Sequence, residues 1–380
     1  MYAPSPFARF GSLLATDLRD VTSDPSALES AGWWAVVADF EGRLLCARFG
    51  DVRETPRPGA TAGTPNTPAA SRWRGPAPGA WTSSTDRAAY TAGVRRIREH
   101  IAAGDVYQAN LCRVLSAPLP DPSPETSDLA GLSALLARGN PAPYAGAVRL
   151  PAHGVEVATA SPELYLRREG GTVTSGPIKG TARTAEELLE KDQAENVMIV
   201  DLVRNDLGRV CAPGSVTVPG LCEVEPHPGL VHLVSTVRGE LAAGAGWPDL
   251  LRDTFPPGSV TGAPKLSALR IIGELEPTPR GPYCGGIGWV DADRDTGELA
   301  VGIRTFWIER GTLAGGAGGT RTGGSAVLRF GTGAGITWGS DPEGEWEETE
   351  LKASGLLKVA SDMRHHQVPS PTATNGRGAL

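Results

Sequence analysis

The chain has 380 residues, 40% of them hydrophobic and 21% charged, an ordinary globular balance with ample material for a buried core. Its net charge is −7 and no dense Lys/Arg run occurs, so nucleic-acid binding has no electrostatic footprint, whereas an anionic substrate remains open because a bound metal can supply local positive charge. No apolar run approaches membrane-spanning length and no basic-then-apolar leader opens the sequence. With Cys46, Cys112, Cys211, Cys222 and Cys284 scattered and no CxxC pair, the expectation is a cytoplasmic protein with reduced, buried thiols and no membrane partner.

In chain order, residues 1–54 form a strand-rich N-terminal segment. Within it Trp34–Phe40 and Arg43–Phe49 read as a hairpin turning at Glu41-Gly42. Residues 55–78, rich in Pro, Ala, Thr and Gly, read as a flexible connection. The main domain follows, over 79–362. It opens with a helix, Asp86–Ala103, closed by Gly104, and a strand, Val106–Leu115. Further strands are predicted at Tyr144–Leu150, Val155–Ala158, Leu164–Arg168, Gly285–Val290, Leu299–Ile308 and Val327–Gly331. Helices are predicted at 185–203 and from Glu345 to Val359. Glycine-rich Ala314–Ser325 reads as a mobile loop and residues 363–380 as a disordered tail. Strands cluster, long helices lie between them and alternation is not strict, which gives an α+β fold with antiparallel or mixed sheets.

Several patterns carry chemistry. On the first long helix Asp192 and Glu195 share the stripe of Leu188, Ile199 and Leu202; near the C-terminus Glu345, Glu348 and Lys352 lead into Leu356 and Val359. Inward carboxylates are costly unless paired or metal-bound. The two pairs therefore read either as solvated acidic faces or as an oxygen-rich cage for a hard cation such as Mg2+. Gly331–Gly335 lacks the spacing of a dinucleotide fingerprint, and Gly258–Lys265 lacks that of a P-loop. Both remain either tight turns or anion-facing backbone. Lys179, hemmed by Pro177, Ile178 and Gly180, is an exposed loop lysine or, if desolvated, a nucleophile. His232 lies in an apolar run and reads by default as a core histidine. Arg304 interrupts a strand, for a salt bridge at its edge or for a carboxylate fork.

Together these segments resemble the chorismate-utilising enzymes, a family that includes anthranilate, aminodeoxychorismate, isochorismate and salicylate synthases. The resemblance runs from about Trp73 to Ala360. It rests on Gly-Asp-Val-Tyr-Gln-Ala-Asn-Leu (104–111), Ala-Ser-Pro-Glu-Leu (160–164), Pro-Ile-Lys-Gly-Thr (177–181), Glu-Asn-Val-Met-Ile-Val-Asp-Leu-Val-Arg-Asn-Asp (195–206), His-Leu-Val-Ser-Thr-Val (232–237), Gly-Ser-Val-Thr-Gly-Ala-Pro-Lys (258–265) and Asp-Pro-Glu-Gly-Glu-Trp-Glu-Glu-Thr (341–349). It implies two packed, mostly antiparallel β-sheets flanked by helices, with the active site in a cleft.

The resemblance also implies roles. Glu195 and Glu348 match the family's Mg2+ ligands, supported by Asp192, where a glutamate is usual, and Glu345. The ring carboxylate of chorismate would meet the metal, the Gly335 backbone, Ser259, where threonine is usual, and Lys352. The enolpyruvyl carboxylate would meet Tyr283 and Arg304, and His232 would lie beside the ring. At Gln108 the water-adding branches carry a lysine base, which glutamine cannot replace. At Lys179 anthranilate synthases carry alanine, whereas Pro-Ile-Lys-Gly-Thr resembles the aminodeoxychorismate branch. There the lysine attacks C2, Glu163 protonates the departing C4 hydroxyl, and ammonia displaces the lysine. No pyruvate is lost, so a separate lyase would complete a route to 4-aminobenzoate. No glutaminase elbow is recognisable, which implies a glutamine amidotransferase subunit as partner. Ala27–Ala31 weakly resembles the family's tryptophan-contacting segment.

Overall fold

The computed structural model describes residues 5–57, 73–121, 123, 127–182, 184–188, 190–227, 230–311 and 325–361. The tail over 363–380, nearly all of the loop over 314–325 and residues 58–72 of the expected connection lie outside the described residues. Six helices are described: α1 (Arg87–Ala103), α2 (Leu129–Gly139), α3 (Glu190–Leu207), α4 (Trp247–Thr254), α5 (Lys265–Leu275) and α6 (Pro342–Ala360). The ends of α1 follow from its sequence. The Asp86 side chain accepts the Ala89 N–H at 2.8 Å, and Gly104 closes the helix at φ 82°.

Every strand pairing among the described residues is antiparallel, and the pairings form one long ladder in two runs. The first run begins at Gln108–Pro118 and passes through Ala326–Ile336, Thr305–Arg310, Val155–Ser161 and Tyr144–Leu150 to Phe7–Phe10. A tight turn at Gly11 then feeds Leu13–Thr22. The second run continues through Leu44–Glu54, Trp33–Ala38, Gly286–Asp291, Thr296–Val301, Leu164–Glu169 and Thr172–Gly176 to Leu230–Glu240. That last strand carries Ile178–Ala182 on the same edge as Thr172–Gly176 and Thr217–His227 on the other.

One core joins the two runs face to face. Cys112, Val114, Val148, Val157 and Trp307 from the first pack with Trp33, Phe49, Leu166, Ile287 and Leu299 from the second. The outer face of the first run is covered by α2 and α6, whose Leu129, Leu132, Leu136, Ala353 and Leu356 meet Phe306, Leu328 and Phe330. Helices α1 and α5 cover its end through Val94, Ile97 and Ile271 against Ala109, Leu111 and Ile336. The period of two explains the near-continuous apolar run in Gln108–Pro118. Cys112 and Val114 face between the sheets, while Leu111 and Leu115 face helices. On the second run α3 inserts Ile199, Val203 and Leu207 into the core.

Some boundaries differ from expectation. The N-terminal segment is no separate unit, because Phe7–Phe10 pairs with Gly146–Arg149 and Trp33–Ala38 with Gly286–Asp291. The connection ends before residue 78. Trp73 is 3% exposed and donates to the Ala360 carbonyl at 2.7 Å, and Gly75 is buried so close to that carbonyl that a Cβ would collide with it. Helix α3 starts at Glu190, after a 3-10 turn at Ala185–Glu187, so Leu188 lies outside it. Cys222 is half-buried, whereas the other four cysteines are buried, and all five are free. Within Ala27–Ala31, Leu28 is 1% exposed and Glu29 pairs with Arg168 at 2.6 Å.

Candidate active site

Lys179 sits at a bulge. The register between Ile178–Ala182 and Leu230–Glu240 slips after Lys179, where Gly180 takes φ 75°, a left-handed conformation that favours glycine. A Cβ there would also lie 2.9 Å from Asp192 Cβ, so α3 closes over the bulge. On the opposite side is Gly335. A methyl added to it would sit 3.3 Å from Lys179 Nζ and 3.0 Å from Asn110 Oδ1, and would overlap Gln108 Nε2. Glycine in this strand therefore makes room for three polar side chains.

The strand also aims its backbone. Gly335 is opposite Asn110, whose N–H goes to Thr261 O at 2.8 Å; Gly333 is opposite Cys112, whose N–H goes to Glu276 Oε1 at 2.8 Å. Residues that do not exchange hydrogen bonds with their opposite number turn their own N–H and C=O away from that strand. Gly333 and Gly335 accordingly present theirs on the other edge, and Lys352 Nζ meets Gly333 O at 3.1 Å. Gly331–Gly335 is thus not a tight turn but strand throughout, and the outward N–H groups of Gly333 and Gly335 are what an anion-facing backbone requires. The Tyr283 ring lies so close to Gly331 that a Cβ could not fit.

Glu163 and Lys179 have opposed electrostatics. Glu163 is 3% exposed; burial pushes its carboxyl up to about 7, against the Ser259 hydroxyl, Lys179 and the Ile178 N–H. Lys179 is half-buried, and burial lowers its ammonium. Glu195 opposes that, Lys352 reinforces it, and Glu163 and Glu348 oppose it. Desolvation wins in both cases, so the acid tends to keep its proton and the amine to lose one. Two further features mark the place as built for a ligand: Glu163 Oε1 and Gln108 Oε1 are buried without hydrogen-bond partners, and Gln108 is fully buried.

The carboxylates of α3 and α6 converge nearby. Asp192, Glu195 and Glu345 are half-buried and Glu348 is exposed. Burial raises Glu345, the Ser340 hydroxyl opposes, Glu348 raises it, Lys352 opposes and Glu195 raises it again. Glu348 Oε1 pairs with Lys352 Nζ at 2.6 Å. The buried stripe of α6 is Thr349, Ala353, Leu356 and Ala360. The row read from the sequence is therefore rotated, and Glu348 and Lys352 keep their hydration at the rim, where a charge is tolerated. Among the described residues no three His, Cys, Asp or Glu side chains converge closely enough to ligate one ion. The acidic groups that influence one another there, Glu195, Glu345 and Glu348, offer only carboxylate oxygens. Such a set fits Mg2+, which takes one or two protein carboxylates and completes its shell with water and substrate oxygens.

The remaining expected residues are placed less directly. Ser259 is buried in a 3-10 turn, Gly258–Val260, and its carbonyl accepts Asn110 Nδ2 at 3.2 Å. His232 is 1% exposed on the strand beside Lys179, opposite Thr181. Burial holds the Tyr283 phenol well above its ordinary range, so it stays a donor. The expected strand Leu299–Ile308 is broken into Thr296–Val301 and Thr305–Arg310. Arg304 occupies the break at φ 52°, half-buried, with no ion pair among the described residues. Burial alone lowers its guanidinium. Cys284 N–H donates to Gly302 O at 3.0 Å, which sets Tyr283 next to that break.

Three supporting residues went unread. Asn110 holds the Ser259 turn. Arg280, 1% exposed, pairs with Glu276 at 2.6 Å and donates to Val260 O and Asn110 O at 2.8 and 3.2 Å, locking the same turn to the same strand. Lys265 does not face an anion; it turns inward to Asp206 at 2.6 Å and Thr254 O at 2.8 Å.

Comparison with known proteins places these residues in a family. The profile of the chorismate binding enzymes matches residues 50–358. The chain is 41% identical over 321 residues to anthranilate synthase component 1 of Streptomyces coelicolor, covering 80% of this chain and 57% of that protein. It is 38% identical over 290 residues to aminodeoxychorismate synthase component 1 of Salmonella typhimurium, covering 73% and 59%. It thus spans less than two thirds of the length of these relatives. The crystal structure of anthranilate synthase component I from Streptococcus pneumoniae superposes with a TM-score of 0.65 at 24% identity, over 94% of this chain and 82% of that one, a likeness of fold.

Proposed function

Because the chain belongs to the chorismate binding enzyme family, we propose that it is component 1 of an aminodeoxychorismate synthase, replacing the C4 hydroxyl of chorismate by an amine. The observation that carries this reading is the pairing of Lys179 with Glu163. Burial frees the amine for attack and keeps the carboxyl protonated to about 7. Lys179 Nζ attacks C2, the two conjugated ring double bonds both shift, and the C4–O bond breaks as Glu163 donates its proton, releasing water. Ammonia then bonds to C4, both double bonds shift back, and the C2–N bond breaks to return neutral Lys179. The proton shed by the new C4 ammonium restores Glu163. Splitting one difficult displacement into two allylic ones is the logic of covalent catalysis.

The other residues bind and orient. Glu195 and Glu348, backed by Asp192 and Glu345, would hold Mg2+, which supplies positive charge at the ring carboxylate. The outward N–H of Gly335, the Ser259 hydroxyl and Lys352 address that same carboxylate, while Arg304 and the Tyr283 phenol take the enolpyruvyl carboxylate. His232 packs beside the ring, and Gln108 offers no base to activate water. A glutamine amidotransferase subunit is the source of ammonia. The rival reading is anthranilate synthesis with loss of pyruvate, which draws support from the Streptomyces relative; the lysine at 179 favours amination at C4 over it. With ammonia withheld, chorismate should leave an adduct whose mass equals enzyme plus chorismate minus water, absent in Lys179→Ala. Failure to trap any adduct on the unmutated chain would count against the lysine route.

A further inference from the structure

Beside Glu163 lies a second space, mostly apolar with a few polar side chains, whose walls include neither Lys179, Gln108 nor the α3 and α6 carboxylates assigned to Mg2+. It is lined by Glu163, Ser175, Asp206, Thr254 and Ser259, with apolar side chains such as Val203 completing it. The cavity offers 20 Å³ to the centre of a water molecule, and roughly 10–15 Å³ is enough to hold one. A dry cavity is normally apolar throughout, whereas Glu163 is one of the walls here and its Oε1 is buried without a hydrogen-bond partner.

The chemistry of the walls fixes how a water would sit. Asp206 is buried, and its Oδ2 is taken by Lys265 at 2.6 Å, which leaves Oδ1 for another donor. The Thr254 hydroxyl is committed, since it donates to Leu250 O at 2.8 Å and meets the Tyr165 hydroxyl at 2.6 Å. Ser175 is 5% exposed and brings a hydroxyl to the same space. We propose that this cavity holds one resident water that donates to Glu163 Oε1 and to Asp206, accepts from Ser175, and supports the carboxylate form of Glu163 that each turnover creates.

Without that water the ionised Glu163 would keep one buried oxygen with nothing to meet it, and an unmet charge of that kind is expensive. The charged group that bears on Glu163 is Lys179; the other charged wall of the cavity is Asp206, held by its partner Lys265. Lys265 keeps Asp206 an acceptor, so the water has both its protons directed at carboxylates. The water itself stands on geometry alone; its part in turnover rests on the reading of Glu163 as the acid.

The test uses the whole chain and Val203→Ile, in which one added methyl fills the cavity without adding or removing a polar group. Ser175→Val fills it from the opposite wall should the first variant fold poorly. A crystal structure fine enough to show ordered water should place one between Glu163 and Asp206 in the unmutated chain and none in the variant. The infrared carboxylic-acid band that disappears in Glu163→Gln should persist to a pH about one unit higher in the filled variant, because the carboxylate has lost a donor. A dry cavity in the unmutated chain, or a band that titrates at the same pH in both, overturns the proposal. Both readouts are independent of the product formed, so a finding of anthranilate would remove the proposed function and leave the water to stand or fall by itself.

Discussion

Replacing Glu163 by Gln removes a buried group whose proton affinity differs between the folded and unfolded chain. The carboxyl rises from 4.5 to about 7, chiefly through burial. A raised value means that the folded state binds the proton more tightly. The resulting stability is therefore fully present below about 4.5 and is lost as pH climbs through about 7. A rise of about 2.5 units corresponds to about 3 kcal/mol. Glu163 is 3% exposed, so solvent screening reduces this little. The glutamine variant lacks this loss. Whatever a buried amide costs there is the same at every pH and cancels from the comparison. Urea unfolding of both proteins between pH 5 and pH 8 should show Glu163→Gln gaining on the unmutated chain by about 2–3 kcal/mol over that interval. A difference that stays constant across the interval would refute the claim that Glu163 is held protonated by its surroundings.

Three substitutions test the rest of the site. Glu195→Gln or Glu348→Gln should abolish Mg2+-dependent turnover with the circular dichroism spectrum intact, because a hard cation loses a charged oxygen ligand; full activity at ordinary Mg2+ would contradict the assignment. Gly335→Ala places a methyl on Gln108 Nε2 and 3.3 Å from Lys179 Nζ, so the KM for chorismate should rise about 10-fold or more with the fold retained. An unchanged KM would show that the outward edge of this strand does not meet the substrate.

Much of the scaffold was legible because its signals are local. The Glu41-Gly42 hairpin forms as read, with Asp39 N–H donating to Arg43 O at 2.8 Å, and α1 begins and ends where its capping residues stand. Other features depend on tertiary contacts that no local pattern carries. Arg304 breaks its strand because the chain bends there to let Ala160 N–H reach its carbonyl at 3.0 Å; the apolar residues on either side continue the strand pattern and hide the break. On α6 a helical stripe shows that Glu345, Glu348 and Leu356 share a side, but not that the cleft begins one residue away from the core. Asn110 and Arg280 act through backbone carbonyls distant in sequence, and Glu276 through the Cys112 N–H, so they leave no spacing to read. The glycines at 331 and 335 suggested turns, since only the assembled sheet reveals the Tyr283 ring and the Gln108 amide lying over them.

The central claim is that Lys179 directs the amine to C4. It is tested most directly by incubating the purified chain with chorismate, Mg2+ and an ammonium salt and identifying the product by mass spectrometry. The account predicts 4-amino-4-deoxychorismate with no release of pyruvate. Anthranilate together with pyruvate would contradict it.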